Sequence, residues 1–151
     1  MSENRKNQNR TWLVFANEEK CKHVRCLDEK GFISWHRGRI KFAEGDTVYI
    51  FLSTERRVRY KTKVVAVDVD REDASYWIEK APKDKTHRLE LVKEYPDIGL
   101  YEKDLQKYGF KGGRSLQQPM CRNLELLNYI EDCFQKKLVE SERTVFVTYG
   151  L

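Results

Sequence analysis

Short apolar runs separated by charged stretches organise this chain, and most of them alternate with the period of a strand. The run "TWLVFA" at residues 11–16 is β-branched and aromatic and predicts a first strand ending at Asn17. "NEEKCKHVRC" follows with acids at its front, which predicts a short helix N-capped by Asn17. "FISW" and "TVYIFLS" read as extended pieces, the second behind a Gly45-Asp46 turn signal. "RVRYKTKVVAVDVD" alternates strictly. Val58, Tyr60, Thr62, Val64 and Ala66 fall on one face, while Arg59, Lys61, Lys63, Val65 and Val67 fall on the other. Residues 68–87 predict a long charged loop carrying Tyr76 and Trp77. "HRLELVKEY" predicts another strand, "LYEKDLQKYG" a helix closed by Gly109, and "FKGGRSLQQP" a loop. From about Asn123 to Val139, Leu124, Leu127, Ile130, Phe134 and Leu138 recur at steps of three or four, the stripe of an amphipathic helix. The closing "TVFVTYGL" predicts one more strand or a tail packed on the sheet.

Strands clustered in sequence with helices inserted between them predict an α+β protein, a mixed pseudobarrel of about five to six strands with flanking helices. The polar, unpatterned residues 1–10 predict a disordered tail, and residues 11–151 a single domain. A chain of 151 residues is long enough for one sizeable core.

Composition narrows the classes. The chain is 40% apolar and 35% charged with a mean hydropathy of -0.76, and no apolar run approaches the roughly 18 residues of a spanning helix. "MSENRKNQNR" lacks the apolar middle of a signal peptide, so the expectation is a cytoplasmic protein without membrane contact. The four cysteines, Cys21, Cys26, Cys121 and Cys133, are too sparse for a disulfide framework and are expected as free thiols. "CKHVRC" sets Cys21, His23 and Cys26 close together, but a structural zinc site needs a fourth ligand and no second close pair is present. No metal or cofactor is expected. The net charge of +5 is modest, yet residues 56–63 hold five cations and no acid, a local field that would gather phosphates or, equally, guard a sheet edge.

Taken together, "WLVFAN", "ISW", "GDTVYIFLS", "RVRYKTKVVAVD", "RLELVKEY", "LQKYGFKGGR" and the final amphipathic helix resemble the EVE domain family of the PUA-like superfamily, over about residues 11–135. That family is related to the YTH readers of methylated RNA and to base-flipping readers of modified DNA. The resemblance implies a pseudobarrel with a pocket at its mouth that holds one extruded, often modified nucleobase. It also implies DNA or RNA as partner, with a nuclease acting in trans as a further possible one. Where standalone EVE proteins carry a "W-x-G-V-R-N" type segment, this chain has "SWHRGR".

A flipped base is stacked between aromatic planes and read along its edge, with stacking worth roughly 1 to 3 kcal/mol per base. Trp12, Trp35, Tyr49, Tyr60 and Trp77 are candidate walls, and Asn17 and Ser53 candidate readers, because an amide or hydroxyl can bond a base edge without a charge. Arg37, Arg39, Arg57, Lys61 and Arg114 are candidate phosphate contacts. Each has a plainer reading: Trp12 and Tyr60 as core, Asn17 as a helix cap, and the cations as solvated surface.

The leading expectation is therefore a non-catalytic nucleic-acid-binding domain. Two rivals stand beside it. One is a small hydrolase acting on a modified base or nucleoside, for which Lys61 and Thr62 are the relevant pair, although alternation sends them to opposite faces. The Glu18–Lys20 spacing is too little for a nuclease, and Cys21 or Cys26 with His23 lacks an orienting third group. The other rival is a protein-interaction module.

Overall fold

The computed structural model describes residues 9–96, 98–111, 118–120 and 123–135. Strand β1 (Thr11–Ala16) leads to helix α1 (His23–Lys30), then to β2 (Phe32–His36), β3 (Thr47–Leu52) and the long β4 (Arg57–Asp70). A 3-10 turn at Ala74–Tyr76 precedes β5 (Lys85–Glu94), which is followed by α2 (Glu102–Gln106), the short β6 (Gln118–Pro119) and a helix α3 over 124–135. The six strands form one mixed sheet in the order β2-β5-β4-β3-β1-β6. β1 and β3 run parallel, in register from Thr11 opposite Thr47 to Ala16 opposite Leu52, and the other neighbours are antiparallel. The chain is thus α+β, as its pattern predicts. The sheet stays open, because β2 and β6 at its two ends do not pair among the described residues.

Both faces of the sheet are buried, which is why β1 and β3 read as near-continuous apolar runs. Trp12, Val14 and Ala16 with Val48, Ile50 and Leu52 face one core, roofed by Cys26 and Leu27 of α1 and closed by Ile33, Trp35, Phe42 and Leu89. Leu13 with Tyr49 and Phe51 faces the other, under Leu105, Leu126, Ile130 and Phe134. Each fully buried aliphatic or aromatic side chain contributes roughly 1.5–3 kcal/mol by leaving water, so both layers are needed.

Four local expectations change. The helix after β1 begins at His23, not at Asn17, because the chain first turns and forms a bridge between Cys21 and Trp77. The alternation of β4 breaks at Arg59: opposite Ile50 stands Tyr60 and opposite Phe51 stands Val58, so Arg59 is an extra residue, a bulge. Val58 and Tyr60 consequently enter different cores, although strict alternation would place them together. The loop expected over 68–87 is shorter, since β4 runs to Asp70 and β5 starts at Lys85. Residues 118–119, expected as loop, pair with β1 at Trp12.

In α3 the buried stripe is Leu126, Ile130 and Phe134, and Leu124 is exposed. Asn123 caps that helix, its Oδ1 accepting the Leu126 N–H at 3.1 Å. α1 ends at Gly31, whose φ of 77° lies in the left-handed region and lets its N–H reach the Leu27 carbonyl at 2.9 Å. The closing strand expected at "TVFVTYGL" and the tail at residues 1–8 lie outside the described residues.

Candidate functional site

The parallel pairing of β1 and β3 brings the residues that follow them to one place. Ser53 donates its N–H to the Ala16 carbonyl at 3.0 Å, and its Oγ accepts the Glu18 N–H at 3.1 Å. Asn17 Oδ1 accepts the Glu19 N–H at 3.0 Å, which makes a local turn and not a helix cap. The capping role falls to Glu18, whose carboxylate accepts the His23 and Val24 N–H groups at 2.8 and 3.2 Å, where the positive end of the helix favours an anion.

Trp77 is tied to this corner by three kinds of contact. Its flanking backbone pairs with residues 20–22, through Lys22 N–H to the Tyr76 carbonyl at 2.8 Å and Ile78 N–H to the Lys20 carbonyl at 3.0 Å. Its indole N–H donates to Asp73 Oδ1 at 3.2 Å. The Arg71 guanidinium lies over its ring, 4.8 Å from the centroid. Asp73 is fully buried; its Oδ2 accepts the Ser34 N–H at 3.1 Å and its Oδ1 also accepts from Arg71 at 2.9 Å. Arg71 in turn is held bidentate by Asp84, both bonds at 3.0 Å. Burial disfavours the Asp84 carboxylate, but Arg71 and His36 outweigh it and keep its pKa below the ordinary value.

One carboxylate therefore joins Trp77 to the strand that carries Trp35. The ring of Trp35 lies 5.8 Å from that of His23 and is 7% exposed, so it backs the corner more than it lines it. Trp77 is partly open, and with Tyr76, Lys22 and Arg25 it lines a groove of about 420 Å³ between α1 and the 75–78 loop. Arg25 and the Tyr76 hydroxyl both bond Glu29, at 2.7 and 2.9 Å, whereas Lys22 has no ion pair among the described residues.

The other expected walls lie elsewhere. Trp12 sits at the far end of β1 in the interior, donating to Asp46 Oδ2 at 2.9 Å and packing edge-on against Phe42 at 4.9 Å. Tyr60 is fully buried beneath α1, with the Arg59 guanidinium 5.1 Å from its ring centroid. Tyr49 is on the opposite face of the sheet. The structure thus puts Trp77 on a groove whose lining includes none of Asn17, Ser53 and Trp35, and leaves Trp12 and Tyr60 in the core.

The basic stretch is far less bare than its sequence. Arg56 pairs with Glu102 at 2.6 Å, Arg57 with Glu55 at 2.8 Å, and Arg59 with Glu55 and Glu94 at 2.6 and 2.7 Å. Burial acts against the Glu55 carboxylate, yet the two arginines hold its pKa below the ordinary value. Arg37 pairs with Asp68 at 2.8 Å, Arg39 is exposed on the adjoining turn, and Arg114 lies outside the described residues. Lys61 belongs to the other face of the sheet, beside Lys93.

Three of the groups weighed for catalysis, Thr62, Cys21 and Cys26, are buried. Thr62 is buried and its Oγ1 donates to the Val48 carbonyl at 2.7 Å. Burial pushes the thiols of Cys21 and Cys26 up to about 12, far from the thiolate a nucleophile needs. Sequence reasoning missed Asp46, Asp73 and Arg71. The turn signal at Gly45-Asp46 was the only local hint, and nothing in "DREDASYW" marks which acid goes inside.

No family model matches this chain, and no curated protein does. Solved structures do. A hypothetical protein from Leishmania major is similar at 18% identity and a TM-score of 0.60, covering 88% of this chain and 99% of its own. A protein from Agrobacterium tumefaciens is similar at 18% identity and a TM-score of 0.53, covering 83% and 92%. The YTH domain-containing protein mmi1, solved in complex with RNA, is similar at 10% identity and a TM-score of 0.54, covering 87% of each chain. The chain shares its α+β fold with these structures.

Proposed function

We propose that this chain is a non-catalytic nucleic-acid-binding domain of the EVE type, which receives a single extruded, modified base of DNA or RNA against Trp77. The observation that carries the reading is the groove beside α1. A partly open indole, fixed by Asp73 and Arg71, lines a hollow whose rim holds Lys22, a lysine with no ion pair among the described residues. A π-face held rigid loses little freedom when a base stacks on it, and a cation at the rim contributes affinity without reading sequence. The similarity to a YTH domain solved with RNA supports the same partner class. For a base edge the groove itself offers Ser75, while Asn17 and Ser53, the sequence-based candidates, stand at the strand ends outside its lining. Of the sequence-based rim, Arg37 and Arg57 are already ion-paired and Arg39 is exposed, while Lys22, which was not among those candidates, is the lysine at the groove.

The test is fluorescence anisotropy with oligonucleotides that carry modified and unmodified bases, at two salt concentrations. Trp77→Ala is expected to erase discrimination between the two bases. Lys22→Ala is expected to weaken both alike and to reduce the salt slope by about one. Binding that ignores salt, or discrimination that survives in Trp77→Ala, overturns the reading and favours a protein-interaction module.

A further inference from the structure

The face of the sheet away from Trp77 holds a second hollow, of about 350 Å³, between β3, β4, β5 and the end of α3. Three independent features meet there. Lys61 and Lys93 stand directly opposite each other across the β4/β5 ladder, an arrangement in which two like charges repel. Among the described residues neither has a carboxylate within ion-pair distance; Lys93 spends one proton on the Phe134 carbonyl at 2.6 Å. At the floor lies Tyr49, fully buried and with no hydrogen-bond partner for its hydroxyl among the described residues. A buried donor without a partner carries a free-energy cost, and so do two like charges directly opposite each other; one ligand relieves both.

We propose that this hollow is an oxyanion site that takes a phosphate group, with Lys61 and Lys93 supplying charge and the Tyr49 hydroxyl donating to a phosphate oxygen. Burial, and then the nearby Glu131, push the pKa of the Tyr49 phenol up, so it remains a donor. Burial, and then Lys61, lower that of Lys93, which an anion between them would reverse. Glu131 on the wall opposes one of the two lysine charges. This limits the site to a small, compact anion and disfavours a long polyanion. The site is independent of the Trp77 groove, which lies across the sheet.

The test is thermal shift and calorimetry with sodium phosphate against sodium chloride at matched ionic strength, on wild type, Tyr49→Phe and Lys61→Met. Tyr49→Phe deletes only the orphan oxygen, so without phosphate it is expected to melt no lower than wild type. Phosphate is expected to raise the Tm of wild type beyond chloride, and each variant to bind it at least tenfold more weakly. A nucleoside monophosphate that binds more tightly than inorganic phosphate would identify a nucleotide end as the source, and equal binding would identify the free ion. No phosphate effect beyond chloride, or the same effect in all three proteins, overturns the proposal. Neither outcome bears on base discrimination at Trp77.

Discussion

At Trp12 and at Trp77 an indole N–H donates to a buried aspartate, Asp46 in the first case and Asp73 in the second. Around Asp46 every partner is local to a sealed corner: it also accepts the Arg10 and Ala43 N–H groups at 2.9 and 3.0 Å, and Trp12 is 4% exposed. Around Asp73 the bonds tie the 71–77 stretch to Ser34 of β2, and the indole stays partly open at a groove. The same hydrogen bond thus locks a core in one place and presents a flat surface in the other. What separates them is the second neighbour. Phe42 closes over Trp12, whereas Arg71, itself held by Asp84, supports Trp77 from one side only.

The largest expected effect that separates the corners is on stability. Trp12→Ala should cost about 3–5 kcal/mol, as for a buried aromatic, and Trp77→Ala less than half of that. Urea melting of both variants checks this, and equal losses would remove the distinction.

A smaller effect comes from acid. His87 packs against Phe42 at 5.2 Å, so it belongs to the Trp12 corner. Its Nε2–H donates to the Ile40 carbonyl at 3.1 Å and its Nδ1 accepts the Asp68 N–H, so the ring is neutral. Burial lowers its pKa from the ordinary 6.5; the Ile40 hydrogen bond and the Asp68 charge oppose the shift, and the charges of Arg37 and His36 add to it. The unfolded chain therefore binds this proton more readily than the folded one. The stabilising contribution is complete above about pH 6.5 and drains away as the pH falls toward the lowered folded value. Tm should drop between pH 7 and pH 5, ahead of the carboxylate range, and His87→Gln should flatten that part of the profile.

The smallest effect concerns the paired arginines. Arg57→Gln should change affinity for nucleic acid by less than about 0.5 kcal/mol, since its charge is already answered by Glu55. A loss as large as that of Lys22→Ala would show that the ion pairs open on binding.

Strands β1 to β5 were legible because each carries a short β-branched or aromatic run, and the α3 helix because its period survives in Ile130 and Phe134; β6, two polar or imino residues, was not. The bulge at Arg59 was not, since one extra residue leaves composition unchanged and reverses only the side to which neighbours point. The charge of 56–63 was legible as a count and misleading as a field. Glu55 stands just outside that window, and Glu94 and Glu102 reach it only through the fold. Trp77 was visible as an aromatic in polar surroundings, but its partner Asp73 was one acid among several, and burial of an acid depends on contacts made far along the chain.

Because β1 and β3 point the same way, the peptide segments leaving them at Asn17 and Ser53 emerge side by side, with Leu52 and Ala16 sealed behind. The side chain of Asn17, bonded only within its own turn, can be exchanged there without disturbing the hydrogen-bonded ladder, whereas Ser53 and Glu18 are tied to each other and to α1. Descendants of this architecture should diversify first at Asn17, and a library randomised there would sample new ligands at little cost in folding.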